Sequence, residues 1–121
     1  MKSPVPIYLE MFRTNVVVTY SKEDFFEVVQ EWGSEEHEFD TDVSGLCWSD
    51  PENGILVGVF EDGIKTLIHE LTHASIFVLK RIGADPSDSN GELMAFLMEY
   101  LFDKATAEKT KQSRKKSKRS R

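Results

Sequence analysis

The stretch GILVGVFEDGIKTLIHELTHASIFVLKRIG, residues 54–83, decides how this chain folds. Its opening, GILVGVF, is a short apolar run rich in β-branched residues and bounded by turn signals, which is the pattern of a strand. From about Asp62 the period changes to that of a helix, which Gly83 and Pro86 bring to an end near Ile82. On a helical wheel Ile64, Leu67, Ile68, Leu71, Ala74, Ser75, Val78, Leu79 and Ile82 fall together on one broad face, the expected core face. His69 and His73 lie opposite it, with Lys65, Ile76 and Lys80.

Working outward, VSGLCWS and GILVGVF flank DPENG, which reads as a β-hairpin. Further upstream, residues 6–11 and 14–20 are apolar and β-branched, NVVVTY being the better strand. Ser21 starts a helix with Asp24 three residues on, a capping-box arrangement. Phe25, Val28, Val29 and Trp32 give that helix its apolar stripe, and Gly33 stops it. GSEEHEFDTD is an acidic loop. Downstream, SDSNGE is a turn and N-cap region before a last helix from about Asn90 to Ala105. The fold class that follows is α+β: a small antiparallel sheet with three helices in one domain, residues 1–105.

Composition narrows the function. The 121 residues carry 15 Lys and Arg against 21 Asp and Glu. Residues 104–121 hold nine of those bases and one acid, leaving six bases and twenty acids on the body. The tail therefore carries +8 and the body −14. The tail has no large apolar side chain after Phe102, so residues 106–121 are expected to be a disordered basic segment. Such a segment can tether nucleic acid or an acidic partner, whereas the body itself would repel phosphate. No apolar run approaches the ~18–20 residues of a membrane span. MKSPVPIYLEMF is interrupted by prolines and Glu10 and does not read as a signal peptide. A single cysteine, Cys47, excludes a disulfide framework and makes the cytoplasm the default compartment. Cys47, Trp32 and Trp48 read as core or core-edge residues.

The chemistry lies in His69-Glu70-Leu71-Thr72-His73, an H-E-x-x-H motif. Two histidines at i and i+4 project from one helix face and can share a tetrahedral zinc. Glu70, about 100° round the helix, can reach a metal-bound water without ligating the metal. The third ligand is expected to be Glu92, at the start of the next helix, where a helix–turn–helix brings the first turn of one helix beside the other. Glu99, Asp85, Asp88 and His37 are alternatives, and Glu99 could instead orient a ligating histidine. Tyr100, Tyr20, His37 and Lys65 are candidates for stabilising an oxyanion.

The hexapeptide HELTHA, residues 69–74, resembles the active-site helix of thermolysin and other gluzincin metallopeptidases. Asn90-Gly91-Glu92 followed by Ala95 resembles their second motif. The stretch Thr66–Ala74 after a hairpin is also similar to small cytoplasmic and phage-encoded metallopeptidase-like proteins of the SprT-like and ImmA/IrrE type. The resemblance covers roughly residues 54–100 and implies a minimal zincin-like core. It implies that His69, His73 and Glu92 bind Zn2+ and that Glu70 is the general base for hydrolysing a protein or peptide substrate. By the same analogy the GILVGVF strand would be the sheet edge that pairs with extended substrate. The chain is far shorter than thermolysin and has no counterpart of its C-terminal lobe. The competing expectation is a catalytically inactive binding module on the same scaffold.

Overall fold

A computed structural model gives the fold and describes residues 3–33, Phe39 and 42–119, with side chains to Ala107. Strand β1 (Val5–Leu9) leads through a 3-10 turn at Glu10–Phe12 into β2 (Thr14–Thr19). Helix α1 (Lys22–Glu31) follows, then the β3 (Gly45–Asp50) and β4 (Gly54–Val59) hairpin and helix α2 (Gly63–Arg81). A second 3-10 turn, Asp88–Gly91, precedes α3 (Glu92–Arg119). Ser21 caps α1 as expected, its hydroxyl accepting the Asp24 N–H at 3.1 Å.

The strands form one four-stranded sheet in the order β1-β2-β4-β3. The α+β class is as the sequence implies, but the sheet is mixed rather than wholly antiparallel. β1 and β2 pair antiparallel, as do β3 and β4, while β2 and β4 run parallel with Val16 opposite Ile55. The cause is the crossover through α1. The chain enters the hairpin at the far edge, so the arm that returns beside β2 is the second one. GILVGVF is therefore an inner strand and not the sheet edge; β3 takes that position.

Both faces of the inner strands are covered, which is why β4 is buried along its whole length and reads as an unbroken apolar run. Val16, Val18, Ile55, Val57 and Val59 meet α2 and α3 on one face. Val17 and Leu56 meet Phe25, Val28 and Val29 of α1 on the other. Trp32 and Trp48 edge this second layer with ring centroids 5.9 Å apart, in the role the sequence suggested. Gly54 makes the parallel pairing possible. Its φ is +133°, and a Cβ there would stand 2.3 Å from the Asn15 carbonyl oxygen.

The broad face of α2 is narrower than the wheel suggested. Leu67, Leu71, Ala74, Ser75, Val78 and Leu79 are buried, whereas Ile64, Ile68 and Ile82 are exposed. Helix α3 meets α2 at Ser75, whose hydroxyl lies 3.3 Å from the Met98 sulfur, and leaves the flank at Ile64 and Ile68 open. Leu97, Leu101 and Ala105 secure α3 to the core, and the Tyr20 hydroxyl donates to the Ala105 carbonyl at 2.8 Å. The expected boundary between domain and basic tail falls inside α3, and the side chains beyond Ala107 lie outside the described residues. Among the described residues no helix is long and apolar enough to cross a membrane.

Candidate metal centre

Three side chains of α2 converge. One potential ligand atom from each of His69, Glu70 and His73 lies within 4.8 Å of the others. The helix does this by itself: residues four apart stand one above the other, so the two imidazoles share a face. Their ring centroids are 5.0 Å apart, at 71° to each other. Two imidazole nitrogens bound to one tetrahedral zinc at about 2.0–2.1 Å stand roughly 3.3 Å apart. Both histidines are exposed, so their side chains have room to rotate toward that separation. The donor set, two imidazoles beside a carboxylate, suits a borderline-soft divalent ion such as zinc.

Glu70 differs from its neighbours in burial. It is 5% exposed, whereas the His69 side chain is 70% exposed. Its carboxylate lies 3.8 Å from His69 Nε2. Burial pushes the Glu70 carboxyl above its ordinary value, against the opposing pull of His69 and then His73. The result is a carboxylate with raised proton affinity beside the two imidazoles, which is what a general base needs.

What presses on Glu70 is β3. Gly45 lies so close to α2 that a Cβ there would stand 2.5 Å from Thr66 Cγ2, 2.6 Å from the Gly58 carbonyl oxygen and 2.9 Å from Glu70 Cγ. Only glycine lets the edge strand approach the helix this closely. A pocket of about 650 Å³ opens beside this contact, lined by Ser44, Gly45, Asp62, Lys65, His69 and Glu70 among others. Gly45 and Thr66 are missing from the sequence-based candidates. Gly45, opening a strand directly after a serine, was the available signal.

The remaining candidates are scattered. Glu92 is exposed at the first residue of α3 and does not join the His69–Glu70–His73 group. The flank of α2 that meets α3 carries Ser75, roughly 200° round the helix from His73 at 100° per residue. Glu99 is exposed and lies with Phe96 and Asp103 on α3. Tyr100 stacks on Phe96 and faces the β1–β2 turn. Tyr20 is committed to the Ala105 carbonyl. Asp85 accepts from the Ser87 N–H and hydroxyl, and Asp88 accepts from the Asp85 N–H. Of the oxyanion candidates among the described residues, Lys65 alone lines the pocket with His69 and Glu70. His37 lies outside the described residues. Cys47 is a half-buried thiol, pushed up by burial and then by the Glu70 carboxylate, so it resists ionisation.

Compared with protein-family models, curated proteins and solved structures, the chain matches none of them.

Proposed function

We propose that this chain is a small zinc-dependent peptidase whose general base is Glu70. The observation that carries the reading is the contrast within one helix turn and a half: a buried carboxylate of raised proton affinity beside two exposed imidazoles, opening on a pocket at the sheet edge. His69 and His73 would hold the metal; Glu92, the third ligand that the resemblance to gluzincins implies, stands apart from them at the first residue of α3 and would have to be brought to the metal on binding. A zinc ion bound there supplies acidified water and a polarised carbonyl.

The protein's own part follows from placement. Glu70 takes a proton from water and hands it to the departing amine. The close approach of β3 at Gly45 packs backbone against the Glu70 stem, whose carboxylate lies 3.8 Å from His69 Nε2. Lys65, on the pocket wall, offers an ammonium to the developing oxyanion. The direct test is Glu70→Gln in a peptide-library assay controlled by chelator. Loss of about 10²–10⁴-fold in turnover with metal still bound is expected. Full activity in the variant would exclude this mechanism. The absence of chelator-sensitive turnover from the wild type would favour the binding-module reading.

A further inference from the structure

A group of exposed apolar side chains lies away from the histidines, between the β1–β2 turn and α3. Met11 is 79% exposed, Tyr8 57% and Phe96 51%. With Phe12 and Tyr100 they border a groove of about 710 Å³ whose floor includes the buried Leu9 and Leu97. Phe96 and Tyr100 stack at 6.3 Å, one helical turn apart, so one wall is a rigid aromatic ledge. Apolar side chains gathered in a groove on a small domain mark a contact surface rather than scattered surface residues. The rim is acidic. Glu10 lies on the turn, and Glu99 and Asp103 lie on α3 along the adjoining depression. Among the described residues two cations flank this rim: Lys104, laid over the Tyr100 ring at 5.5 Å, and Arg13, which closes the turn beside Phe12 and lines a separate depression with Ser49 and Arg81.

We propose that this groove docks a basic amphipathic segment of another protein, apolar side chains in the groove and Lys or Arg on its acidic rim. Charge decides the occupant. A second copy would set Glu10, Glu99 and Asp103 against their own kind. The chain's own basic segment has charge but no large apolar residue after Phe102 to fill the groove. Nucleic acid would meet the same three carboxylates. A cationic amphipathic segment satisfies both the apolar floor and the rim. This surface does not depend on the metal centre, and its test is a binding measurement.

The probe is a fluorescein-labelled helical peptide of leucine and lysine at amphipathic spacing, with a leucine–glutamate counterpart, titrated into the full chain by anisotropy. The basic peptide is expected to bind, the acidic one not, and binding should weaken with added salt. A body of charge −14 attracts any polycation, so the deciding variants are neutral ones. Met11→Ala with Phe96→Ala should weaken binding about tenfold or more while the net charge is unchanged. Met11→Gln alone, at the most exposed position, should move the affinity in the same direction and guards against misfolding of the double variant. Glu99→Gln with Asp103→Asn should flatten the salt dependence. Equal affinity of wild type and both Met11 variants would overturn the proposal. So would a wild-type dimer in sedimentation that those variants convert to monomer, since the face would then be a self-association surface.

Discussion

Gly45 and Glu70 meet where β3 passes close to α2, and a Cβ on Gly45 would stand 2.9 Å from the Cγ of Glu70. The edge strand and the proposed catalytic carboxylate are thus held in one contact. The close approach of β3 at Gly45 is part of what buries Glu70, and burial pushes its carboxyl above its ordinary value.

Gly45→Ala is therefore expected to move α2 off the sheet edge, because the added carbon also meets the Gly58 backbone oxygen, which cannot rotate away. Overpacking of this kind costs about 1–3 kcal/mol. Thermal unfolding should register the loss, and peptidase turnover should fall further than the stability change explains, since Glu70 is displaced with the helix. An alanine variant with unchanged melting temperature and turnover would show that the contact relaxes freely.

Metal binding is checked by elemental analysis and by titration of the apo-protein with zinc. One equivalent per chain is expected in the wild type and none in His69→Ala or His73→Ala. Glu92→Ala should weaken zinc by about 10-fold or more if it supplies the third ligand. An unchanged affinity would leave a site built from α2 alone, the group already assembled in the structure.

Arg81 fastens the end of α2 to the β3–β4 turn. Its Nη2 donates to Ser49 Oγ at 3.0 Å, the Asp50 carbonyl at 2.5 Å and the Gly54 carbonyl at 3.0 Å. Arg81→Ala leaves two carbonyls and a hydroxyl without this charged donor and should cost about 2–3 kcal/mol in denaturant unfolding. Arg81→Lys should recover only part of it, because the shorter side chain sets its one nitrogen back from the three acceptors that Nη2 reaches.

Asp50 gives the fold a definable acid limit. Burial pushes its carboxyl up, but bonds from the Glu52 N–H and the Asn53 side chain and backbone, with the Arg81 guanidinium, hold it below its ordinary value. A carboxylate whose folded pKa is depressed adds stability above its unfolded pKa of about 3.9 and loses it as pH falls through the folded value. Stability should therefore drop below about pH 4. Asp50→Asn should lower stability at neutral pH and flatten that drop. A variant with the wild-type acid profile would move the cause to other carboxylates.

The elements and the motif were legible because they rest on local signals. Ser21 and Asp24 marked the start of α1, DPENG marked the hairpin, and the i, i+4 histidines marked one face of α2. What was hidden depends on contacts between distant residues. The Val16–Ile55 parallel pairing needs the crossover through α1, which no window of sequence contains. Ile64 and Ile68 carry the core period but stand on a flank that α3 does not cover. Glu92 follows His73 by nineteen residues, one fewer than in thermolysin, and its distance from His73 depends on how α3 crosses α2, where Leu97, Leu101 and Met98 pack. Gly45 has no chemistry of its own and becomes legible only when Thr66 and Glu70 are seen against it.

The inner position of β4 also orders events in time. β2 finds its parallel partner only after the crossover, α1 and β3 have all been synthesised, and closing so long a connection is entropically slow. A chain still on the ribosome and ending before Gly54 has the β1–β2 hairpin and α1 but no sheet to hold them, with Val16 and Val18 unburied. Assembly of this domain waits on the same thirty residues that carry the histidines, so the fold and its proposed chemistry come into being together.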